Sequence, residues 1–137
     1  MKKVSLSIIA LIMLLSNSCR FIMGDRDLNN GYIWTAEGNQ SSIVLSTTRK
    51  YHGVGIEIIP PMVVKVETDK NFITVKSIDN IQNIDKYWII DKGIAINLGD
   101  CKDQKSCDSL IMSILEGPFD SISFYQMLNN KGINTFK

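Results

Sequence analysis

Residues 62–78 read MVVKVETDKNFITVKSI and decide the class of fold. Two runs rich in β-branched residues flank a polar triplet at 69–71. In the first run, Val64 and Val66 alternate with charged residues, so one face is predicted to be buried and the other wet. The stretch therefore predicts an antiparallel β-hairpin that is covered on one side.

Shorter strand signals lie on both sides of this hairpin. Most are aromatic or β-branched runs bounded by Gly, Asn or Pro, which favour turns. The run at 86–92 is apolar at both odd and even positions, which indicates a central strand. Besides the hairpin, the predicted strands are 32–37, 43–48, 56–59, 86–92, 94–98 and 133–136.

The end of the chain changes to a helical period. Apolar side chains recur at i, i+3, i+4 and i+7 from Cys107 to Ile114, which predicts a helix with one apolar stripe. Ser106 is the expected N-cap of this helix. The pair Gly117 and Pro118 is expected to end it.

A second, shorter helix is predicted to follow. Asp120 stands at its N-cap, and Phe119 and Phe124 occupy the two positions of a hydrophobic staple. Gly132 lies where a C-terminal cap belongs. Together these patterns predict an α+β domain, with an antiparallel sheet of about five or six strands and two C-terminal helices packed on one face.

The N-terminus has the three parts of a secretory signal peptide in order. Lys2 and Lys3 supply a positive start, and residues 4–15 are apolar except for two serines. This run is too short to cross a bilayer core, which needs about 20 residues. The chain is therefore predicted to be exported, with residues 1–18 removed as a lipoprotein signal peptide.

Cys19 resembles the cysteine of a bacterial lipobox, which becomes the lipidated first residue of the mature chain. Ser16 and Ser18 occupy the places where the lipobox pattern has leucine and a glycine or alanine. The alternative is ordinary signal-peptidase cleavage before Cys19, which leaves a free thiol at the terminus. Arg20 is not the aspartate that retains lipoproteins in the inner membrane, so the outer membrane is the expected location.

The composition describes one neutral domain. The 137 residues carry 15 Lys and Arg against 14 Asp and Glu, and loss of Lys2 and Lys3 would leave 13 against 14. This balance excludes the broad basic surface that nucleic-acid binding needs, so no nucleic-acid partner is expected. We expect residues 19–30 to form a lipidated terminus and tether, and residues 31–137 a single globular domain.

Cys101 and Cys107 remain once Cys19 is assigned. Two cysteines in a polar loop of an exported chain are predicted to form a disulfide. A metal site would need two further ligands, and the only histidine, His52, is about 50 residues away. His52 also lacks a Gly-x-Ser-x-Gly nucleophile elbow, so it is interpreted as a surface residue. No metal or other cofactor is expected.

No spacing in the sequence marks a catalytic residue. Scattered carboxylates such as Glu57, Asp91 and Glu116 leave a small hydrolase open, although nothing pairs them at the separation a glycosidase needs. Trp34 and Trp88 are the candidates for an exposed patch that binds a glycan or peptide, with core packing as the alternative.

Three segments, 27–32 (DLNNGY), 86–92 (KYWIIDK) and 117–125 (GPFDSISFY), carry a resemblance to a family. They resemble the landmarks of small bacterial envelope lipoproteins with an uncharacterised domain, except that Phe119 stands where the family has leucine. The resemblance implies an α+β envelope protein and brings no assigned catalytic residues.

These observations predict a non-enzymatic envelope lipoprotein that is held to the membrane by Cys19 and binds a protein or peptide. An immunity protein or inhibitor that neutralises a periplasmic toxin or hydrolase is the alternative. A carboxylate-dependent hydrolase is a third hypothesis. The lipobox-like segment, the small size and the absence of a catalytic pattern favour the first.

Overall fold

The computed structural model describes residues 24–35, 38–46 and 55–136. The predicted signal peptide, Cys19 and His52 lie outside these ranges. Within them the chain forms antiparallel strands and two α-helices, which confirms the α+β class. In chain order the elements are β1 (Arg26–Asp27), β2 (Tyr32–Trp34), β3 (Ile43–Ser46), β4 (Gly55–Ile59), β5 (Val63–Thr68), β6 (Phe72–Ile78), β7 (Asp85–Asp91), α1 (Gln104–Ile114), β8 (Leu115–Phe119) and α2 (Ser121–Lys131).

The first sheet has the strand order β1-β2-β3-β4, with every pair antiparallel. Tyr32 pairs with Leu45 at one end of β2. At the other end Trp34 pairs with Ile43, which in turn pairs with Ile59. The short strands are aromatic or β-branched at most positions, as pleated and half-buried segments prefer.

The turn before β2 is built as its residues predict. Asn29, Asn30 and Gly31 all have positive φ, the conformation that Asn and Gly tolerate best. The amide of Leu28 donates to the carbonyl oxygen of Tyr32 at 2.9 Å, and Leu28 is fully buried. The folded part of the chain therefore includes β1 and Leu28, which lie within the predicted tether.

The second sheet has the order β5-β6-β7-β8 and is also antiparallel. The β5–β6 hairpin and the central position of β7 are both confirmed. Residues 94–98 are not the predicted neighbour of β7; β8 takes that place, and a short 3₁₀ helix, Leu98–Asp100, follows the loop instead. Residues 133–136 form no strand either, although Thr135 and Phe136 are held by side-chain hydrogen bonds to β6 and β5.

Gly117 explains why β8 pairs closely with β7. Its φ is +126°, and a Cβ atom there would lie 2.7 Å from the carbonyl oxygen of Tyr87. Because real Cβ atoms do not approach so closely, only glycine fits without a shift of one strand. The predicted helix stop at Gly117 and Pro118 is therefore wrong, since α1 ends at Ile114 and these residues belong to a strand.

The main core lies between the two sheets, and a second core lies on the outer face of the second sheet. On β7, Ile90 belongs to the core between the sheets, whereas Tyr87 packs with Phe124 and Leu128 of α2 in the outer core. Ile114 at the end of α1 belongs to the core between the sheets. The molecule is thus a sandwich of two four-stranded sheets in its described part, and the prediction of one sheet with both helices on one face is wrong. β7 has apolar residues at both odd and even positions because both of its faces are buried.

A β-bulge changes the face that Val64 occupies. The register of β5 against β6 shifts between Val63 and Lys65. As a result Val63 and Val66 are buried, whereas Val64 is 42% exposed. A bulge adds one residue to one strand and breaks the strict alternation, so the predicted pairing of Val64 with Val66 on the buried face is wrong.

Both helices have side-chain caps. Asp103, not the predicted Ser106, is the N-cap of α1; Ser106 is its third residue, and the two form a reciprocal capping box. The predicted caps of α2 are confirmed, with Asp120 accepting from the amide of Ser123 and Gly132 in the left-handed conformation. Among the described residues, no helix is long and apolar enough to span a membrane.

Candidate functional site

The sandwich has two ends that carry different loops. At one end, called here the proline end, lie the Pro60–Pro61 link between β4 and β5 and the 79–84 loop between β6 and β7. At the other, called the Tyr32 end, the start of β2 and the end of β3 meet the loop that follows β7. Each end contains a concave surface.

The larger concavity is a hollow of about 430 Å³ at the Tyr32 end. Among the residues that the structure describes, none that lines it carries a formal charge. Amide and hydroxyl groups alternate with aliphatic side chains around its wall, and residues 94–99 form its rim. The lining residues are Asn30, Tyr32, Leu45, Ser46, Ile94, Ala95, Ile96, Asn97, Leu98 and Gly99.

Tyr32 gives the hollow a neutral polar group at physiological pH. Its side chain is almost fully buried. Burial, with a smaller contribution from the carboxylate of Asp91, raises the pKa of Tyr32 to about 12. The phenol therefore stays protonated and uncharged.

The start of the rim is fixed by a buried lysine, Lys92. Its Nζ donates to the carbonyl oxygens of Leu28 and Asp69 and, at 2.8 Å, to Oγ1 of Thr68. Its own carbonyl oxygen accepts from Nδ2 of Asn30 at 3.1 Å. Burial lowers the pKa of Lys92. These bonds join the first sheet, the β5–β6 turn and the end of β7.

The end of the rim is fixed by a cap and by the cysteine pair. Oδ1 of Asn97 accepts from the amide of Gly99 at 3.0 Å and caps the short 3₁₀ helix. Cys101 and Cys107 follow at disulfide distance, with Cα atoms 4.5 Å apart, as the sequence predicts. Cys107 lies in the first turn of α1, so the pair clips the rim to that helix.

The two tryptophans lie at the proline end and are half-buried. Each packs against the core between the sheets, and each indole N–H donates to a serine hydroxyl: Trp34 to Ser41, and Trp88 to Ser77 at 2.8 Å. Trp88 also lines a groove of about 260 Å³, whereas Trp34 does not. The groove residues are Pro60, Pro61, Ser77, Ile78, Asp79, Asn80, Ile81, Lys86 and Trp88.

The three candidate carboxylates are not brought together, and each lies in a different part of the structure. Glu116 forms an ion pair with Lys131 at 2.7 Å. Asp91 accepts from the amide of Gly93 at 2.8 Å, and Glu57 lies in the other sheet, on β4. Among the residues described, no group of three or more His, Cys, Asp or Glu side chains is arranged to hold a metal ion.

The sequence did not single out the Tyr32 hollow. The sequence places both Tyr32 and residues 94–98 in predicted strands, so neither is marked as part of a hollow. Lys92 gives no usable signal either, because a lysine that follows an apolar run is ordinarily exposed and only the structure shows this one to be buried.

Comparison with known proteins finds no relative of this chain. The resemblance to small envelope lipoproteins stays a prediction. No protein-family model, curated protein or solved structure matches the chain.

Proposed function

We propose that this protein is a non-enzymatic envelope lipoprotein whose domain binds a protein or peptide partner in the Tyr32 hollow. The observation that carries the proposal is the lining of that hollow, whose described residues are uncharged and mix polar with apolar side chains. A peptide backbone offers neutral donors and acceptors between apolar side chains, which matches such a wall. A phosphate or carboxylate ligand would call for a cationic side chain, and none of the described residues that line the hollow is cationic.

The size of the hollow fits a short segment of a partner. Ligand pockets commonly measure about 300–1,000 Å³, which places this one toward the lower end of that range. The fixed ends of the rim reduce the ordering that binding would require, which favours affinity.

Filling the hollow tests its role. Ala95 is exposed on the rim, so Ala95→Trp adds a large ring to the hollow without entering the core. Gln126→Trp adds the same ring to an exposed position of α2 and is the matched control. Partners captured from envelope extract by the unchanged protein should be lost with Ala95→Trp and kept with Gln126→Trp. Equal capture by both variants would exclude the hollow as the binding surface.

Lipid attachment at Cys19, with residence in the outer membrane, is the second part of the proposal. The lipobox-like segment supports it. The intact mass of the mature protein should correspond to a chain that begins at Cys19 and carries acyl groups. A Cys19→Ser chain should leave the membrane fraction; if it stays there, lipid anchoring is refuted.

The alternative, a periplasmic immunity protein or inhibitor, predicts a particular kind of partner. The captured protein would then be one toxin or hydrolase bound in stoichiometric amount, and its activity would fall as complex forms. For the hydrolase hypothesis, an ester, glycoside and peptide substrate panel should give no turnover. Turnover that is abolished by Glu116→Gln or Asp91→Asn would overturn the hypothesis that the protein is not an enzyme.

A further inference from the structure

Exposed isoleucines are concentrated at the proline end. Ile81, in the loop between β6 and β7, is 94% exposed, and Ile84 in the same loop is 51% exposed. Ile122, in the first turn of α2, is 72% exposed. Ile84 and Ser121 line one shallow surface hollow, which places the start of α2 beside the loop. Neighbouring apolar side chains with this exposure mark an interaction surface.

The loop that presents Ile81 is ordered by its own hydrogen bonds. Oδ1 of Asp79 accepts from the amides of Ile81 at 2.9 Å and Gln82 at 3.0 Å. The amide of Asp79 donates to the carbonyl oxygen of Ile84, and that of Asn83 donates to Asp79. Ile81 is therefore held outward by a fixed backbone.

Two carboxylates near this loop are paired with lysines, whereas a third, Asp120, lines the same shallow hollow as Ile84 and caps α2. Nζ of Lys86 lies 2.6 Å from Asp79, and Nζ of Lys76 lies 2.7 Å from Asp85. The hydrogen bond from Lys86, with the loop amides, lowers the pKa of Asp79 to about 2. Pairing reduces the repulsion that isolated carboxylates would meet at an anionic surface.

The N-terminal part of the chain joins the domain at this same end. Arg26 pairs with Trp34, and the pairing continues across the first sheet through Ile43 to Ile59, the residue before Pro60. Arg26 therefore lies at the proline end. Five residue steps separate Cys19 from Gly24, and a fully extended chain covers at most about 18 Å over that length. A lipid on Cys19 would therefore keep the proline end close to the bilayer.

We propose that the proline end rests on the membrane surface, with Ile81 inserted among the lipid headgroups and Ile84 and Ile122 beside it. This orientation rests on the proposed lipid anchor at Cys19. Apolar side chains at the boundary between headgroups and acyl chains gain burial without crossing the bilayer. The Tyr32 hollow then points away from the membrane, toward a partner in the aqueous compartment.

The test places an environment-sensitive fluorophore on the full, acylated protein in vesicles of phosphatidylethanolamine and phosphatidylglycerol. The labelled variants are Ile81→Cys, and Lys70→Cys in the hairpin turn at the opposite end of β6. A strand of this length spans about 23 Å, so the control label should stay clear of the lipid. Met112→Cys, on α1, is an apolar and exposed control. Labelling without reductant keeps Cys101 and Cys107 paired.

The label at position 81 should shift to the blue and be quenched severalfold more strongly by lipid-borne quenchers than either control label. Quenching that is equal at all three positions, or absent at position 81, would overturn the orientation. The intact mass of the same sample separates the two proposals. An acylated protein whose position 81 stays in water refutes the orientation alone. An unacylated Cys19 refutes the anchor and, with it, the orientation.

Discussion

Replacing Phe124 by alanine should be among the most damaging single changes in this domain. Phe124 is a residue of α2 and is fully buried between this helix and the second sheet. Its ring stacks on Tyr87, with centroids 4.8 Å apart, and meets Phe136 edge-on at 5.4 Å and Tyr125 at 5.5 Å. Phe124→Ala would empty the centre of this group of rings, which joins α2 to the second sheet.

The expected loss follows from burial and ring contacts. Removing a buried Phe side chain costs about 3–5 kcal/mol, counting transfer and cavity together. Aromatic pairs add about 0.5–1.5 kcal/mol each beyond area burial, so three lost pairs place the value in the upper half of that range. We expect a loss of about 4 kcal/mol, which is a large fraction of the roughly 5–15 kcal/mol that stabilises a domain.

Urea unfolding of the mature chain with Cys19→Ser, followed by circular dichroism, measures this loss. Ile122→Ala is the matched control, because it shortens an exposed side chain on the same helix and should change stability by less than about 0.5 kcal/mol. Phe124→Leu should fall between the two, since leucine fills part of the ring volume. If Phe124→Ala cost no more than Ile122→Ala, α2 would not pack on the second sheet as described.

Three further predictions concern the clip, a glycine and a cap. Replacing both Cys101 and Cys107 by serine should cost about 2 kcal/mol in the same assay, and added reductant should then have no further effect. Gly117→Ala should cost about 1–3 kcal/mol of stability, because a backbone oxygen of the neighbouring strand would lie 2.7 Å from the new Cβ atom. Gly132→Ala is the control, since its Cβ atom would meet open space, and it should cost no more than about 2 kcal/mol. A larger loss for Gly132→Ala than for Gly117→Ala would refute the close pairing of β7 and β8. The amide of Ser123 keeps the pKa of Asp120 below its ordinary value. The stability that the Asp120 carboxylate contributes is therefore present above the pKa of the unfolded state and lost as pH falls through the lower pKa of the folded state. Asp120→Asn removes this titration and should reduce the fall of the urea midpoint in acid. An unchanged fall would contradict a stabilising role of the ionised cap.

Local chemistry explains which elements could be predicted from the sequence. The hairpin, the central strand β7 and both caps of α2 depend on residues that are close in sequence. Asp120 and Gly132 act within one or two turns of their own helix, and a period of two or 3.6 residues survives in the sequence. These elements were therefore predicted correctly.

The layering of the fold was not predictable in the same way. Apolar residues on both faces of β7 indicate that both faces are covered, but they do not say by what. One face is covered by the first sheet and the other by α2, and this choice depends on contacts between residues far apart in sequence. A bulge between Val63 and Lys65 likewise leaves no composition signal, and it moved Val64 to the surface.

The candidate site shows the same limit. Asp103 was overlooked as a cap because Ser106, three residues later, is an equally good cap by composition, and only the geometry shows that the two act together. The Tyr32 hollow needs the start of β2 and the loop after β7, which lie about 60 residues apart in the sequence, to meet. The sequence left Trp34 and Trp88 open between an exposed patch and core packing, and it gave no indication of their serine partners.

The rim of the Tyr32 hollow is a short loop with both ends fixed in the scaffold. Lys92 holds its start and the clip at Cys101 and Cys107 holds its end. Between these points Ile96 and Leu98 pack against the core between the sheets, whereas Ile94 and Ala95 are exposed. Substitutions at these two exposed positions can therefore alter what the hollow accepts while the sandwich keeps its stability. Related chains would be expected to diverge fastest at these exposed positions, and a library confined to residues 94 and 95 would be the natural way to select a new specificity on this scaffold.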